Sequence, residues 1–110
     1  MKQRSVLLIV IPVVLFLAMP SFAADAAAGK DAYLKKCATC HGQSGEGKDA
    51  VAKMLKVTLL HLGSKEVQAR SDAELQKIPL EGKGKMKPVK DMTAPMAADV
   101  IAFLRTLAIK

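Results

Sequence analysis

The chain has no tryptophan, and beyond residue 23 its aromatic side chains are two, Tyr33 and Phe103. Rings this scarce cannot fill the centre of a small domain unaided, so the core needs another source of bulk or a covalent staple. They also leave nothing on which nucleic-acid bases would stack. Cysteine is equally sparse. Cys37 and Cys40 are the only two, which rules out a disulfide framework. His41 and His61 are the only histidines, so a zinc site would lack ligands at ordinary spacing. No run of period-two alternation argues for a strand, so the expected fold class is all-α. Internal repeats, low-complexity tracts and linkers are absent as well.

Long apolar runs are nearly absent too. The one exception is Val6 to Met19, fourteen residues, all apolar apart from Pro12. It falls short of the ~20 residues a spanning helix needs. Lys2 and Arg4 precede it as a basic n-region. Small residues follow at −3 and −1, Ser21 and Ala23, or Ala24 and Ala26. This is the anatomy of a cleaved secretory signal, residues 1–23, with cleavage after Ala26 left open. A domain of residues 24–110 is then exported to the periplasm, with no stable membrane insertion. The 51% hydrophobic content overstates the core, because the leader supplies much of it. Removing the leader lowers the net charge from +7 to +5. That balance suits docking on acidic proteins and does not demand nucleic acid.

Four helices can be read from local signals. The first is expected over about Asp25 to Cys37, with Ala26, Gly29, Tyr33 and Cys37 on one face. Gly29 costs about 1 kcal/mol inside a helix, a cost that close approach of another helix would justify. A short helix over Asp49 to Lys56 is expected to turn Val51, Met54 and Leu55 inward. Ser71 and Glu74 form a capping box that starts a helix at Asp72 and points Leu75 and Ile78 inward. Pro79 is expected to stop or kink it. Thr93 can cap the last helix with Pro95 in its first turn. The face Met96, Val100, Phe103, Leu104 and Leu107 suits the Gly29/Tyr33 face, predicting a near-perpendicular crossing of the terminal helices.

The chemistry concentrates at Cys37-Ala38-Thr39-Cys40-His41. This is C-x-x-C-H, the c-type haem attachment signal. Two thiols one turn apart match the two vinyl groups of a haem, and the histidine that follows can offer its imidazole to the iron. A thioredoxin-like C-x-x-C centre is the rival, but it expects alternating strands and helices and has no use for His41. The loop Gly42, Gly45, Gly47 is read as a haem-edge turn, since it lacks the strand and spacing of a phosphate loop. A sixth iron ligand fits Met86, on a loop with Gly82, Gly84 and Pro88. The alternatives are Met54, which reads as helix core, Met92 and Met96, which read as packing, and His61, which reads as a loop histidine.

With Cys37 to Gly42, Gly82 to Pro88 and Val100 to Arg105 on the page, the chain resembles the small bacterial class I cytochromes c over essentially all of its mature region. The resemblance implies an all-α fold with crossing terminal helices, and short helices and loops wrapped around one covalently bound haem c. It also implies thioethers at Cys37 and Cys40, with His41 and Met86 as the axial ligands. The chain departs from the family's usual pattern at Pro79, at Thr58 to His61 and at Met96.

The function expected is that of a soluble carrier, not an enzyme, passing single electrons between redox proteins. Lys35, Lys36, Lys83, Lys85, Lys87 and Lys90 flank the motif and Met86. Together they would steer the carrier to a partner with an acidic docking surface. A monomer is expected. Two other classes stay open at this point. One is a ligand sensor or peroxidase-like protein with an open iron site. The other is a fixed subunit of a larger oxidoreductase.

Overall fold

The computed structural model describes residues 2–3, 5–15 and 23–110. The proposed leader therefore lies partly outside the described residues. Residues 5–15 take no regular secondary structure, and their large apolar side chains are exposed. No helix among the described residues is long and apolar enough to cross a membrane.

Six helices follow one another: α1 (Ala26–Lys36), α2 (Ala38–His41), α3 (Asp49–Leu55), α4 (Lys65–Gln68), α5 (Asp72–Glu81) and α6 (Ala94–Thr106). No strand occurs among the described residues; a single antiparallel bridge joins Lys83 and Met86. Helix starts follow the capping chemistry of the sequence. The Asp25 carboxylate accepts the Ala27 and Ala28 N–H groups at 2.9 and 3.2 Å. Ser71 Oγ accepts from Glu74 N–H at 3.1 Å, and Thr93 Oγ1 from Met96 N–H at 3.3 Å. Each satisfies a donor that the first helical turn leaves unpaired.

The terminal helices meet at Gly29. A Cβ at that position would lie 1.8 Å from the Asp99 carbonyl oxygen of α6, so only glycine lets the two backbones approach this closely. Below the contact, Tyr33 stacks on Phe103 with ring centroids 5.2 Å apart and planes tilted by 53°. Tyr33, Cys37, Ala38, Val100 and Phe103 form one core cluster. Val67, Leu75, Ile101 and Leu104 form a second on the next stripe of α6, covered by α4 and α5. Arg105 binds this end of α6 to the preceding chain. Its guanidinium donates to Asp72 Oδ1 at 2.8 and 3.0 Å and to the carbonyls of Gln68 and Arg70 at 2.8 and 2.7 Å.

Three expectations need correction. Pro79 does not stop α5, which runs on to Glu81. A proline in the last turn forfeits only one ladder bond. Here its own carbonyl accepts Val89 N–H at 2.8 Å, and Gly82 N–H closes the helix on Ile78. Met54 is not core: it is 72% exposed, while Val51 and Leu55 are half-buried. Helix α3 buries no residue against the rest of the chain, so only its Val51/Leu55 side turns inward. Finally, α4 was not expected. Its signal is Ser64, whose hydroxyl accepts Val67 N–H at 3.3 Å.

Candidate haem-binding site

Cys37 ends α1 and begins α2. Its N–H bonds Tyr33 O at 2.8 Å, and its own carbonyl accepts from both Cys40 N–H (3.2 Å) and His41 N–H (3.0 Å). One backbone oxygen therefore winds the motif into a single helical turn. Both cysteines are free thiols, Cys37 buried and Cys40 half-buried. Burial pushes the Cys37 thiol up to about 11, against the neighbouring Lys36, which lowers it. A redox-exchange cysteine requires the opposite shift, towards thiolate. Among the described residues no strand accompanies the motif, whereas a thioredoxin-like centre would require strands.

His41 is half-buried, and burial lowers its pKa, favouring the neutral imidazole that binds metals. Its Nδ1 is buried with no hydrogen-bond partner among the described residues. An orphaned buried polar atom costs about 1–3 kcal/mol. A neutral imidazole beside two thiols gives the turn a donor set that suits a covalently held, metal-bearing group. The turn after His41 is fixed from three sides. Tyr33 donates its hydroxyl to Gly42 O at 2.6 Å. Gly47 N–H bonds His41 O at 2.7 Å, and Lys48 N–H bonds Cys40 O at 3.0 Å. Gly42 has φ +81°, and a Cβ there would collide with the Glu46 carboxylate. That carboxylate is held below the usual range by the backbone N–H groups of Glu46 and Ser44, the latter at 2.8 Å.

Met86 sits in the loop between α5 and α6 and is half-buried. Lys83 and Met86 exchange two backbone hydrogen bonds, 2.8 and 3.0 Å, around Gly84 at φ +57°. Glycine at the first central position of a two-residue turn is the II′ pattern. Gly82 lies under the loop, where a Cβ would come within 2.8 Å of both Met86 O and Pro88 Cδ.

The other candidate ligands differ in their surroundings. Met92 packs on the cluster that contains Cys37 and Ala38. Met96 is half-buried in the first turn of α6, and Met54 faces outward. His61 Nδ1 accepts Gly63 N–H at 2.9 Å, which ties up that nitrogen's lone pair.

Half-buried apolar side chains recur along the chain from α3 to the loop after α5: Val51 and Leu55 of α3, Val57 and Leu59 after it, Leu80 of α5, Val89 beyond Met86. Their character fits a large, flat, mostly apolar group, and so does the thiol, thiol, imidazole donor set.

Comparison with known proteins agrees with this chemistry. The family model described as Cytochrome c matches residues 26–108, from the first residue of α1 to two residues beyond α6. No curated protein matches the chain.

Proposed function

Because the chain belongs to the cytochrome c family, a haem-based electron-transfer protein with one covalently attached haem c, we propose that it is a soluble carrier shuttling single electrons through a His41/Met86-ligated iron. The haem iron supplies the redox change, Fe(II) to Fe(III) and back. The chain's own residues hold and close the site. Cys37 and Cys40 would hold the ring as thioethers, their thiols adding across its two vinyl groups. His41 would supply the iron with a neutral imidazole nitrogen and Met86 with its thioether. A neutral sulfur ligand favours the ferrous state and raises the potential relative to a second imidazole. Held by both side chains, the iron would have no place for substrate, which favours a carrier over an enzyme. The observation that carries this proposal is the single helical turn presenting two free thiols and a desolvated imidazole, within a family match that also spans the Met86 loop.

The test of the ligand set is a comparison of Met86→Leu, Met92→Leu and Met96→Leu. The oxidised, haem-loaded protein should show a weak far-red sulfur-to-iron band. Only Met86→Leu should abolish it. Loss of the band in Met92→Leu or Met96→Leu instead would reassign the ligand.

We further propose that residues 1–23 are a signal peptide and that residues 24–110 work in the periplasm. The exposure of the Val6–Leu15 run supports a leader that the folded domain does not use. Cleavage after Ala23 is favoured by Asp25, whose carboxylate caps α1 and whose N–H donates to Asp99 Oδ1 at 2.8 Å. Cleavage after Ala26 would discard both contacts. The intact mass of the exported protein should place its first residue at Ala24; a start at Ala27 would contradict this. The partners are redox proteins. We propose that they present acidic surfaces to Lys35, Lys83, Lys87 and Lys90, all exposed, and that the carrier is a monomer.

A further inference from the structure

The lysines around Met86 are not equivalent. Lys35, Lys83, Lys87 and Lys90 are exposed and donate no side-chain hydrogen bond among the described residues, whereas Lys36 and Lys85 are engaged. The Lys85 ammonium, on the residue directly before Met86, donates to the carbonyl of Leu55. Leu55 is the last residue of α3, and its carbonyl accepts no backbone N–H among the described residues. Such terminal carbonyls carry the negative end of the helix and favour a cation. The Lys36 ammonium, one residue before Cys37, donates to Lys90 O at 3.1 Å at the far end of the same loop.

The loop between α5 and α6 is therefore attached to its surroundings at few polar points. Val89 N–H is tied to Pro79 of α5, Lys90 O to Lys36 of α1, and the Met86 turn itself to α3 through Lys85. Among the described residues, the Lys85–Leu55 bond is the only hydrogen bond joining this loop to α3. The Lys83–Met86 bonds shape the turn but anchor it to nothing else.

We propose that Lys85 is a positioning residue. Its ammonium latches the Met86 turn to the end of α3 and so sets how readily the sulfur leaves the iron and admits an external small ligand. The inference rests on the reading of Met86 as the sixth ligand. It also divides the lysines by role: Lys85 holds the loop, while Lys83, Lys87 and Lys90 are left for the docking surface.

The experiment is imidazole titration of the oxidised, haem-loaded protein. It compares the unaltered chain with Lys85→Gln, Lys85→Arg and Lys87→Gln, with the far-red band and the helical unfolding midpoint recorded on the same samples. Loss of one charge-assisted bond should tighten apparent imidazole binding about tenfold in Lys85→Gln and weaken the far-red band. The unfolding midpoint should stay close to that of the unaltered protein. Lys85→Arg, which can still donate to the Leu55 carbonyl, should restore the unaltered affinity. Lys87→Gln should leave it unchanged.

Imidazole affinity in Lys85→Gln equal to that of the unaltered protein, with the band present in both, would overturn the latch alone. An equal gain in Lys87→Gln would also overturn it, by making the effect one of general charge. Absence of the band from the unaltered protein would overturn the Met86 assignment, and the latch with it.

Discussion

Tyr33 shows how much one side chain holds in a domain with two aromatics. It is 1% exposed, its ring packs on Phe103, and its hydroxyl donates to the carbonyl of Gly42, the residue after His41. In Tyr33→Phe the ring contact stays, and the Gly42 carbonyl keeps only a long 3.4 Å contact from Gly45 N–H. The expected loss is about 1–2 kcal/mol, read from the denaturant midpoint of the haem-loaded protein. The same residue carries a pH signature. Burial raises its pKa from 10.0 to about 12. The folded state therefore keeps a proton that the unfolded chain loses first. The associated stability is complete below pH 10 and is lost as pH rises towards 12. Tyr33→Phe should lack this component of the alkaline stability loss; an identical pH dependence in the two proteins would contradict the account. The Tyr33 position was legible from helical spacing, but its hydroxyl's partner was not, because nothing in the spacing says where Gly42 turns. Met54 shows the converse. Its apolar side chain suggested core, yet α3 packs so lightly that one side suffices for burial.

Among the elements, the terminal helices define the frame. Their contact rests on the missing side chain at Gly29. Alanine normally improves a helix by about 1 kcal/mol over glycine. At Gly29 it should instead destabilise by about 3 kcal/mol or more, since the added carbon meets backbone and not a movable side chain. Gly29→Leu should prevent stable folding or haem retention. A fully stable Gly29→Leu protein would refute the close crossing. The starts of α1, α5 and α6 were legible because capping is local, a hydroxyl or carboxylate reaching two or three residues ahead. Contacts between distant residues were not. Lys36 reaches Lys90, Lys85 reaches Leu55 and Arg105 reaches Asp72, and no periodicity announces such pairs. That α5 continues past Pro79 instead of stopping there was not legible for a related reason: the partner of the Pro79 carbonyl, Val89, lies ten residues on.

For the whole molecule, the central fact is a thin core beside a donor set that suits a haem. The proposed attachment motif could be read because it lies within five consecutive residues, Cys37 to His41, whereas the choice of Met86 leaned on the family resemblance, since a loop methionine carries no spacing signal of its own. Charge supplies a second consequence at this scale. With +5 on residues 24–110 and four exposed lysines flanking the motif and Met86 in sequence, association with an acidic redox partner should slow about tenfold or more between low and physiological ionic strength. Stopped-flow oxidation at graded salt reads this directly, and a flat response would remove the steering role.

The most direct test of the electron-carrier reading is the visible spectrum of the reduced, haem-loaded protein before and after carbon monoxide is added. Two filled axial positions predict no spectral change. Rapid carbon monoxide binding would mean an open iron site, and would contradict the carrier in favour of a ligand-binding haem protein.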